Sequence, residues 1–168
     1  MVYQKKGKKK QAKQPTDDFE QKIVDLARVT RVMAGGKRMR FRAAVVIGDK
    51  KGQVGIGIAK GADVALAVEK AVKRAHKNII TVKMHNETIP HEVLMKVSSA
   101  VVLLKPARMG RGVIAGGPVR MVIEIAGIKN IVAKMKGSKN KINNIRAVIK
   151  ALSSLQSREE LKKKLESN

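Results

Sequence analysis

The stretch RVTRVMAGGKRMRFRAAVVIGDKKGQVGIGIAK, residues 28–60, decides the fold. Its Gly35-Gly36 pair is typical of a tight turn between two strands. From residue 38 to 43, arginine alternates with apolar residues, which is the period of a strand with one basic and one apolar face. Residues 48–52 predict a second turn, and the alternation resumes from 53 to 59. We therefore predict three antiparallel strands in a meander.

The segments around this meander complete a first structural unit. Residues 17–33 fit neither the helical nor the strand period cleanly, and the turn that follows favours a strand. Gly55, Gly57 and Ala59 leave one face of the third strand bare, which suits close approach of another backbone or of RNA. Residues 62–79 form the clearest predicted helix, with cations in its later turns, as the helix dipole prefers. Its apolar stripe is Val64, Val68, Ala71, Val72, Ala75 and Ile79. The unit is thus β-β-β-α.

The rest of the chain predicts a second, mixed unit. Its expected elements are strands at 93–97, 100–104 and 131–135, a helix from Gly116-Gly117-Pro118 to Gly127, and a helix over 140–155. The fold class is α+β, with two small domains. We place a disordered basic tail at 1–16, the first domain at 17–82, the second at 88–155 and a charged tail at 156–168.

Charge is the feature of the composition that bears most on function. The chain has 37 Lys and Arg against 13 Asp and Glu, a net charge of +24 over 168 residues. A nucleic-acid phosphate backbone is the partner that best matches such an excess. Aromatic residues make up 2% of the chain, so contact to backbone and shape is favoured over base stacking. Cysteine is absent, and no apolar run is long enough for a secretory signal or a membrane span. We expect a soluble cytoplasmic protein that does not bind membranes.

Motifs for catalysis or for cofactors fail on their spacing. Gly55, Gly57 and Gly61 miss the dinucleotide pattern, and Ile58 stands where a phosphate-binding loop needs lysine. His91-Glu92 begins like a zinc-protease helix, but Met95 replaces the second ligand. The three histidines are scattered and the acids dispersed. The sequence predicts no enzyme, no metal, no cofactor and no small-molecule substrate.

The hairpin around Gly35-Gly36 is the strongest candidate RNA-binding site. Six bases and no acid lie between residues 28 and 42, and the planar fork of arginine suits bidentate phosphate contact. A second candidate is the helix start at 116–118 with Arg120, where anion binding and simple capping are equally favoured. The full predicted RNA-binding set is Lys5, Lys6, Lys8, Lys9, Lys10, Arg28, Arg31, Gly35, Gly36, Lys37, Arg38, Arg40, Arg42, Lys50, Lys51, Lys60, Arg108 and Arg111.

The chain resembles the bacterial small-subunit ribosomal protein S-five family. Three stretches carry the resemblance, namely residues 28–60 quoted above, AVEKAVKRAHKNII at 67–80, and GRGVIAGGPVRMVIEIAGIKNIVAKMKGSKNKINNIRA at 110–147. They occur in family order over about residues 20–152, without large gaps. Ala34 departs from the pattern, because many members have Lys just before the Gly pair.

The resemblance implies a fold, a function and partners. The first domain would be similar to a double-stranded-RNA-binding fold, and the second to the βαβ-containing domain of the family. The implied function is binding of small-subunit rRNA near the path by which messenger RNA enters, with support of assembly. Ribosomal proteins S-four and S-eight are the implied protein partners, the first of them acting in decoding accuracy. Gly112 and Arg120 match the S-four side. The spectinomycin-linked loop of the family corresponds to Val29, Thr30, Arg31, Ala34, Gly35 and Gly36.

Two other functions compete with a structural role in the ribosome. A free-standing double-stranded-RNA-binding protein or RNA chaperone would use the same first domain but would leave the second without a protein interface. A nucleotide-using enzyme is disfavoured by the broken phosphate-loop spacing.

Overall fold

The computed structural model describes residues 19–157. Within them, the first half forms an antiparallel sheet of order β1-β2-β3-β4 with one helix, which confirms the predicted meander. Its elements are β1 (Glu20–Met33), β2 (Gly36–Gly48), β3 (Gln53–Gly61), α1 (Val64–Lys77) and β4 (Ile79–Thr81). The predicted tail at 1–16, with its five candidate lysines, lies outside the described residues, as does most of the tail at 156–168.

The first hairpin differs from the prediction in two details. The turn residues are Ala34 and Gly35, whereas Gly36 already pairs with Met33. Gly35 adopts φ +81°, the left-handed conformation that glycine tolerates best. The register of β1 shifts between Ile23 and Asp25. This bulge moves the side-chain alternation by one residue, which explains why residues 17–33 fitted no single period.

The second half forms a mixed sheet of order β5-β6-β8-β7 with two helices. β7 is parallel to β8 and α2 connects them, so the predicted βαβ-containing unit is confirmed. Two short strands, β4 and β7, were missed because two or three residues show no readable period. The prediction therefore wrongly placed Ile79 on the helix stripe. The elements are β5 (Val93–Val97), β6 (Ala100–Pro106), β7 (Val113–Ile114), α2 (Gly117–Ala126), β8 (Ile131–Gly137) and α3 (Lys141–Ser153).

The helices and sheets stack in four layers. α1 packs on one face of the first sheet, and α2 and α3 lie between the other face and the second sheet. The larger buried cluster accordingly joins Val46 and Val54 of the first half to Ile123 and Ile145 of the second. Burial of this shared apolar surface stabilises both halves together. The two predicted domains are thus parts of one packed body.

Close approach of α1 explains the bare face of β3. A Cβ atom on Gly57 would overlap the carbonyl oxygen of Ala71 in α1. Ala67, Ala71 and Ala75 are fully buried on this side. Of the two uses that the sequence left open for this face, the structure shows contact with a helix backbone.

Polar contacts fix the two halves against each other. In the turn between β2 and β3, the amide of Lys50 donates to the carbonyl of Ile125 at 3.0 Å, and the amide of Gly52 donates to that of Ala126 at 3.0 Å. On β1, Lys22 Nζ lies 3.1 Å from Glu124 Oε2 of α2. These contacts orient the first sheet, and with it the first hairpin, relative to the second half.

Candidate nucleic-acid interface

The end of the β1-β2 hairpin projects beyond the rest of the molecule. Every residue from 31 to 40 is exposed, whereas residues 43–48, farther along β2, are buried. The change occurs where β3 ends, since Gly61 pairs with Phe41 and no third strand of the described part of the chain continues past it. Both faces of the hairpin end are therefore free to contact a partner.

Strand register shows which basic residues share a face. Directly paired residues of antiparallel strands lie on the same face. Arg38 pairs with Arg31, and Arg40 pairs with Val29. Lys60 of β3 pairs with Arg42, next along the same face. A depression of about 230 Å³ is lined by Arg31, Arg38, Arg40 and Lys60 among others. We call these four residues the basic hairpin face.

Arg28 and Lys37 lie on the opposite face of the hairpin. Arg28 pairs with Phe41, and Lys37 pairs with Val32, which is 74% exposed. The six bases predicted as one site are thus divided between two faces. Sequence analysis gave the faces of β2, but the bulge in β1 hid which residues of that strand accompany them.

Arg42 differs from its neighbours because it is already paired. Its Nη2 lies 3.2 Å from Asp25 Oδ2, and Lys141 Nζ of α3 lies 3.2 Å from Asp25 Oδ1. The Asp25 side chain is only 18% exposed. Across residues 19–157, the members of the basic hairpin face have no such acidic partner. Arg42 therefore supports the base of the hairpin, and the other four bases remain available to an anion.

The remaining predicted RNA contacts lie elsewhere. Lys50 and Lys51 occupy the turn at the other end of β2, more than about 30 Å from Arg38 at the usual rise of a strand. Lys50 Nζ is paired with Glu20 Oε2 at 2.6 Å. Arg108 and Arg111 are exposed in the loop between β6 and β7. The structure does not bring these residues and the hairpin into one site.

Sequence reasoning missed a second basic groove. Arg74 of α1 and Arg146 of α3 line a cavity of about 270 Å³ whose apolar residues are Ile56 and Ile58. Arg74 Nη1 donates to the carbonyl of Ile58 at 2.7 Å. Ile58 lies two residues before Lys60 on the same face of β3, so this groove continues the basic hairpin face. No local signal could reveal it, because the fold alone brings the two arginines together.

The two positions matched to the S-four side lie in different elements, Gly112 just before β7 and Arg120 in the first turn of α2. Gly112, at φ +74°, is held before β7 by a hydrogen bond from its amide to Asn130 Oδ1 at 3.1 Å. Arg120 lines a cleft of about 650 Å³ between β1 and α2, to which Gly112 does not contribute. Arg120 Nε donates to Glu124 Oε1 at 2.8 Å. This bond, together with Lys22, lowers the pKa of the Glu124 carboxyl from its usual value.

Between residues 19 and 157, no three His, Cys, Asp or Glu side chains are grouped so that they could hold a metal ion. None of the helices in that range is both long and apolar enough to cross a membrane.

Comparison with known proteins identifies the family. The family model "Ribosomal protein S5, N-terminal domain" matches residues 19–83, and "Ribosomal protein S5, C-terminal domain" matches 95–165. "Small ribosomal subunit protein uS5" of Campylobacter jejuni is 50% identical over 140 residues, covering 83% of this chain and 95% of the relative. "Small ribosomal subunit protein uS5c" of Spinacia oleracea is 49% identical over 151 residues, covering 89% of this chain and 49% of the relative.

These matches confirm the predicted family, the two-part α+β fold and the prediction that the protein is not an enzyme. They also agree with the predicted location on ribosomes in the cytoplasm. The basic hairpin face lies within residues 19–83, the part that the N-terminal domain model matches. The chain therefore belongs to the ribosomal protein S5 family, whose members are structural, non-enzymatic proteins of the small ribosomal subunit.

Proposed function

We propose that this protein binds small-subunit rRNA through the basic hairpin face and holds folded RNA in place during assembly and translation. The observation that carries the proposal is the grouping of Arg31, Arg38, Arg40 and Lys60 on one uncovered face without an acidic partner among the described residues. In a chain of net charge +24, unpaired cations on such a face should attract phosphate most strongly.

The chemistry of the face favours phosphate over bases. Three of its four members are arginines, whose forks bind phosphate oxygens in pairs. The aromatic ring nearest to it in sequence, Phe41, lies on the other side of the sheet, packed against the buried cluster that contains Ala71 of α1. Without a ring to stack on, an unpaired base gains little here. The face therefore suits the backbone of a folded, helical RNA.

The buried part of the sheet holds the hairpin rigidly, which favours RNA binding. The buried half of β2 is covered on both sides, by α1 and by α2. The hairpin end thus keeps a fixed direction, so little conformational entropy is lost when RNA binds. The groove of Arg74 and Arg146 extends the same basic surface toward the second half.

Finer roles follow from the family and belong to the same proposal. We assign the S-four contact to the side of Gly112 and Arg120, and decoding accuracy to that contact. S-eight is the second protein partner, and the messenger path lies nearby. The spectinomycin-linked loop is the turn from Ala34 to Gly36 with the adjoining part of β1. We further propose 17–82 and 88–155 as the domain limits.

The test replaces three members of the face by glutamate. The variant Arg31→Glu, Arg38→Glu, Arg40→Glu should lose about two orders of magnitude or more in rRNA affinity at physiological salt, because three phosphate contacts are lost. It should also fail to enter small-subunit particles. The matched control, Lys70→Glu, Lys77→Glu, Lys150→Glu, makes the same change of charge on exposed helix residues.

Two readouts make this test decisive. With glutamine in place of glutamate, the log–log salt slope of binding should become shallower by roughly 0.9 for each lost contact. Equal losses in the hairpin and control variants would overturn the proposal, because net charge alone would then explain binding. Sedimentation of a cell extract separates the free-standing RNA-binding alternative, which requires a large pool outside the small subunit.

A further inference from the structure

Within residues 19–157, one face of the second sheet has no layer over it. Val102 and Leu104 of β6 point toward α2 and α3 and are fully buried. Their neighbours Val101 and Leu103 point the other way and stay partly exposed. Nothing within residues 19–157 packs as a layer on that side. We call it the open sheet face.

An apolar band crosses this face diagonally. Leu94 of β5 pairs with Leu103 of β6, and Ile114 of β7 pairs with Val132 of β8. Leu94 is 61% exposed and Ile114 is 45% exposed. Contiguous apolar side chains on a sheet surface are a common sign of a protein interaction site, because burying them away from water is favourable in free energy.

Lysines flank the band on both sides. Leu103 pairs with Lys134, and Val101 pairs with both Lys96 and Lys136. On the other side of the band, Lys105 pairs with Val132. Lys105 has an acidic partner, Glu92, at 3.1 Å. In the described chain, the other three lysines have none.

We propose that the open sheet face docks another protein, which presents apolar side chains surrounded by Asp and Glu. An apolar centre with a charged rim is the usual anatomy of a protein interface. The four lysines make carboxylates the complementary rim. This surface is separate from the basic hairpin face and from the cleft of Arg120, and it goes beyond the function proposed above.

RNA fits the open sheet face less well. Contact with Leu94 or Ile114 would not stabilise a phosphate. Packing a polyanion on the band would strip water from the phosphates and give them no hydrogen bond in return. The cations here are lysines, which do not form the bidentate fork that marks the hairpin. The rest of this chain fits poorly too, because its residues 158–168 carry four bases against three acids.

Carbodiimide coupling in isolated small-subunit particles tests the proposal. The reagent joins a lysine amine to a carboxylate in direct contact, so it reports acidic neighbours only. Lys96, Lys134 and Lys136 should form amide links to Asp or Glu of a second protein. Their acylation by an amine reagent should be at least about tenfold slower in the particle than in the free chain.

A pair of exposed leucines supplies the matched variants. Leu94→Glu places an acid within the band, so the coupled yield should fall severalfold in particles that contain it. Leu66→Glu makes the same change on α1, where Leu66 is 42% exposed, and should leave the yield unchanged. RNA binding by the purified Leu94→Glu chain should equal that of the unaltered chain, so a failure here is distinct from a failure of the hairpin proposal.

Each other outcome overturns the inference. Lysines that react as fast in the particle as in the free chain would mean that the face is open. Protected lysines without amide links would mean that RNA covers them. Links to Glu159, Glu160 or Glu166 would mean that the C-terminal segment of the same chain lies there.

Discussion

The basic hairpin face and the open sheet face are both uncovered, cation-rich β surfaces, yet they differ in composition and support. The hairpin end has both of its sides exposed, and three of the four basic residues on its face are arginines. The open sheet face has helices beneath it, and its cations are lysines around an apolar band. Positive charge alone would assign both to RNA. The type of cation and the apolar content between the cations separate a phosphate surface from a protein surface.

The packing that holds each of the two surfaces in place also differs. The strands of the hairpin continue into a part of the sheet that is covered on both faces, so the hairpin end needs no packing of its own. The open sheet face belongs to a sheet that lies over α2 and α3 on its other side. Both regions are held by the same shared core, so neither should fold without the other.

The largest effect is expected from a methyl group added where β3 packs against α1. Gly57→Ala places a Cβ atom against the Ala71 carbonyl oxygen, and helix and sheet must then separate. We expect a loss of about 3 kcal/mol or more in the free energy of unfolding, measured by urea titration. Both regions should lose structure in one transition.

Gly36→Ala is the matched control for that change. A Cβ atom on Gly36 meets nothing within 4 Å, and its φ is not left-handed. Its stability should change by no more than about 0.5 kcal/mol. A large loss at Gly36 would show that the hairpin end is packed, which would remove the contrast between the two halves of β2.

Exchanging the two kinds of cation sharpens the comparison directly. Arg38→Lys with Arg40→Lys keeps the charge of the basic hairpin face but removes two forks. We expect rRNA affinity to fall about tenfold, with an unchanged salt slope, because the number of neutralised phosphates is preserved. Binding of labelled rRNA across a salt series measures both quantities.

The reverse exchange belongs on the open sheet face. Lys134→Arg with Lys136→Arg should leave rRNA affinity unchanged within twofold, since we assign that face to a protein. A matching tenfold gain would indicate that RNA reaches the open sheet face as well. It would also contradict the assignment of that face to a protein.

Sequence patterns revealed the long elements and missed what depends on tertiary pairing. The alternation of Arg38 and Arg40 with apolar residues gave β2 and its basic face correctly. The same pattern could not place Arg28, because the bulge in β1 shifts the register and moves it to the other face. Likewise, Arg42 matched the arginine period, but its pairing with Asp25 and Lys141 depends on contact between the two halves.

The open sheet face was hidden for a related reason. β6 has a nearly continuous apolar sequence, which is typical of a strand covered on both sides. In the structure, Val102 and Leu104 are fully buried, whereas Val101 and Leu103 are only partly buried. Only the structure shows that no layer formed by residues 19–157 covers one side. Lys134 and Lys136 are on β8, and pairing of β8 with β6 brings them to the band.

The smallest effect expected is a pH dependence at the contact that joins the two halves. Glu124 accepts hydrogen bonds from Arg120 of its own helix and from Lys22 of β1, and these lower its pKa from 4.5. A carboxyl with a lowered folded-state pKa stabilises the protein above about pH 4.5, and the gain is lost as pH falls through the folded value. Because the side chain is 36% exposed, its contribution should stay below about 1 kcal/mol.

Glu124→Gln should therefore lower stability at pH 7 and converge with the unaltered protein under acid, as measured by urea titrations from pH 7 to pH 3. Glu69→Gln is the control, because the pKa of Glu69 is also lowered, by Lys73 on the same helix, without joining the two halves. If the hairpin and the open sheet face rest on one body, Glu124→Gln should preserve a single transition at every pH. A split into two transitions would mean that polar contacts, rather than the shared apolar core, hold the two surfaces in register.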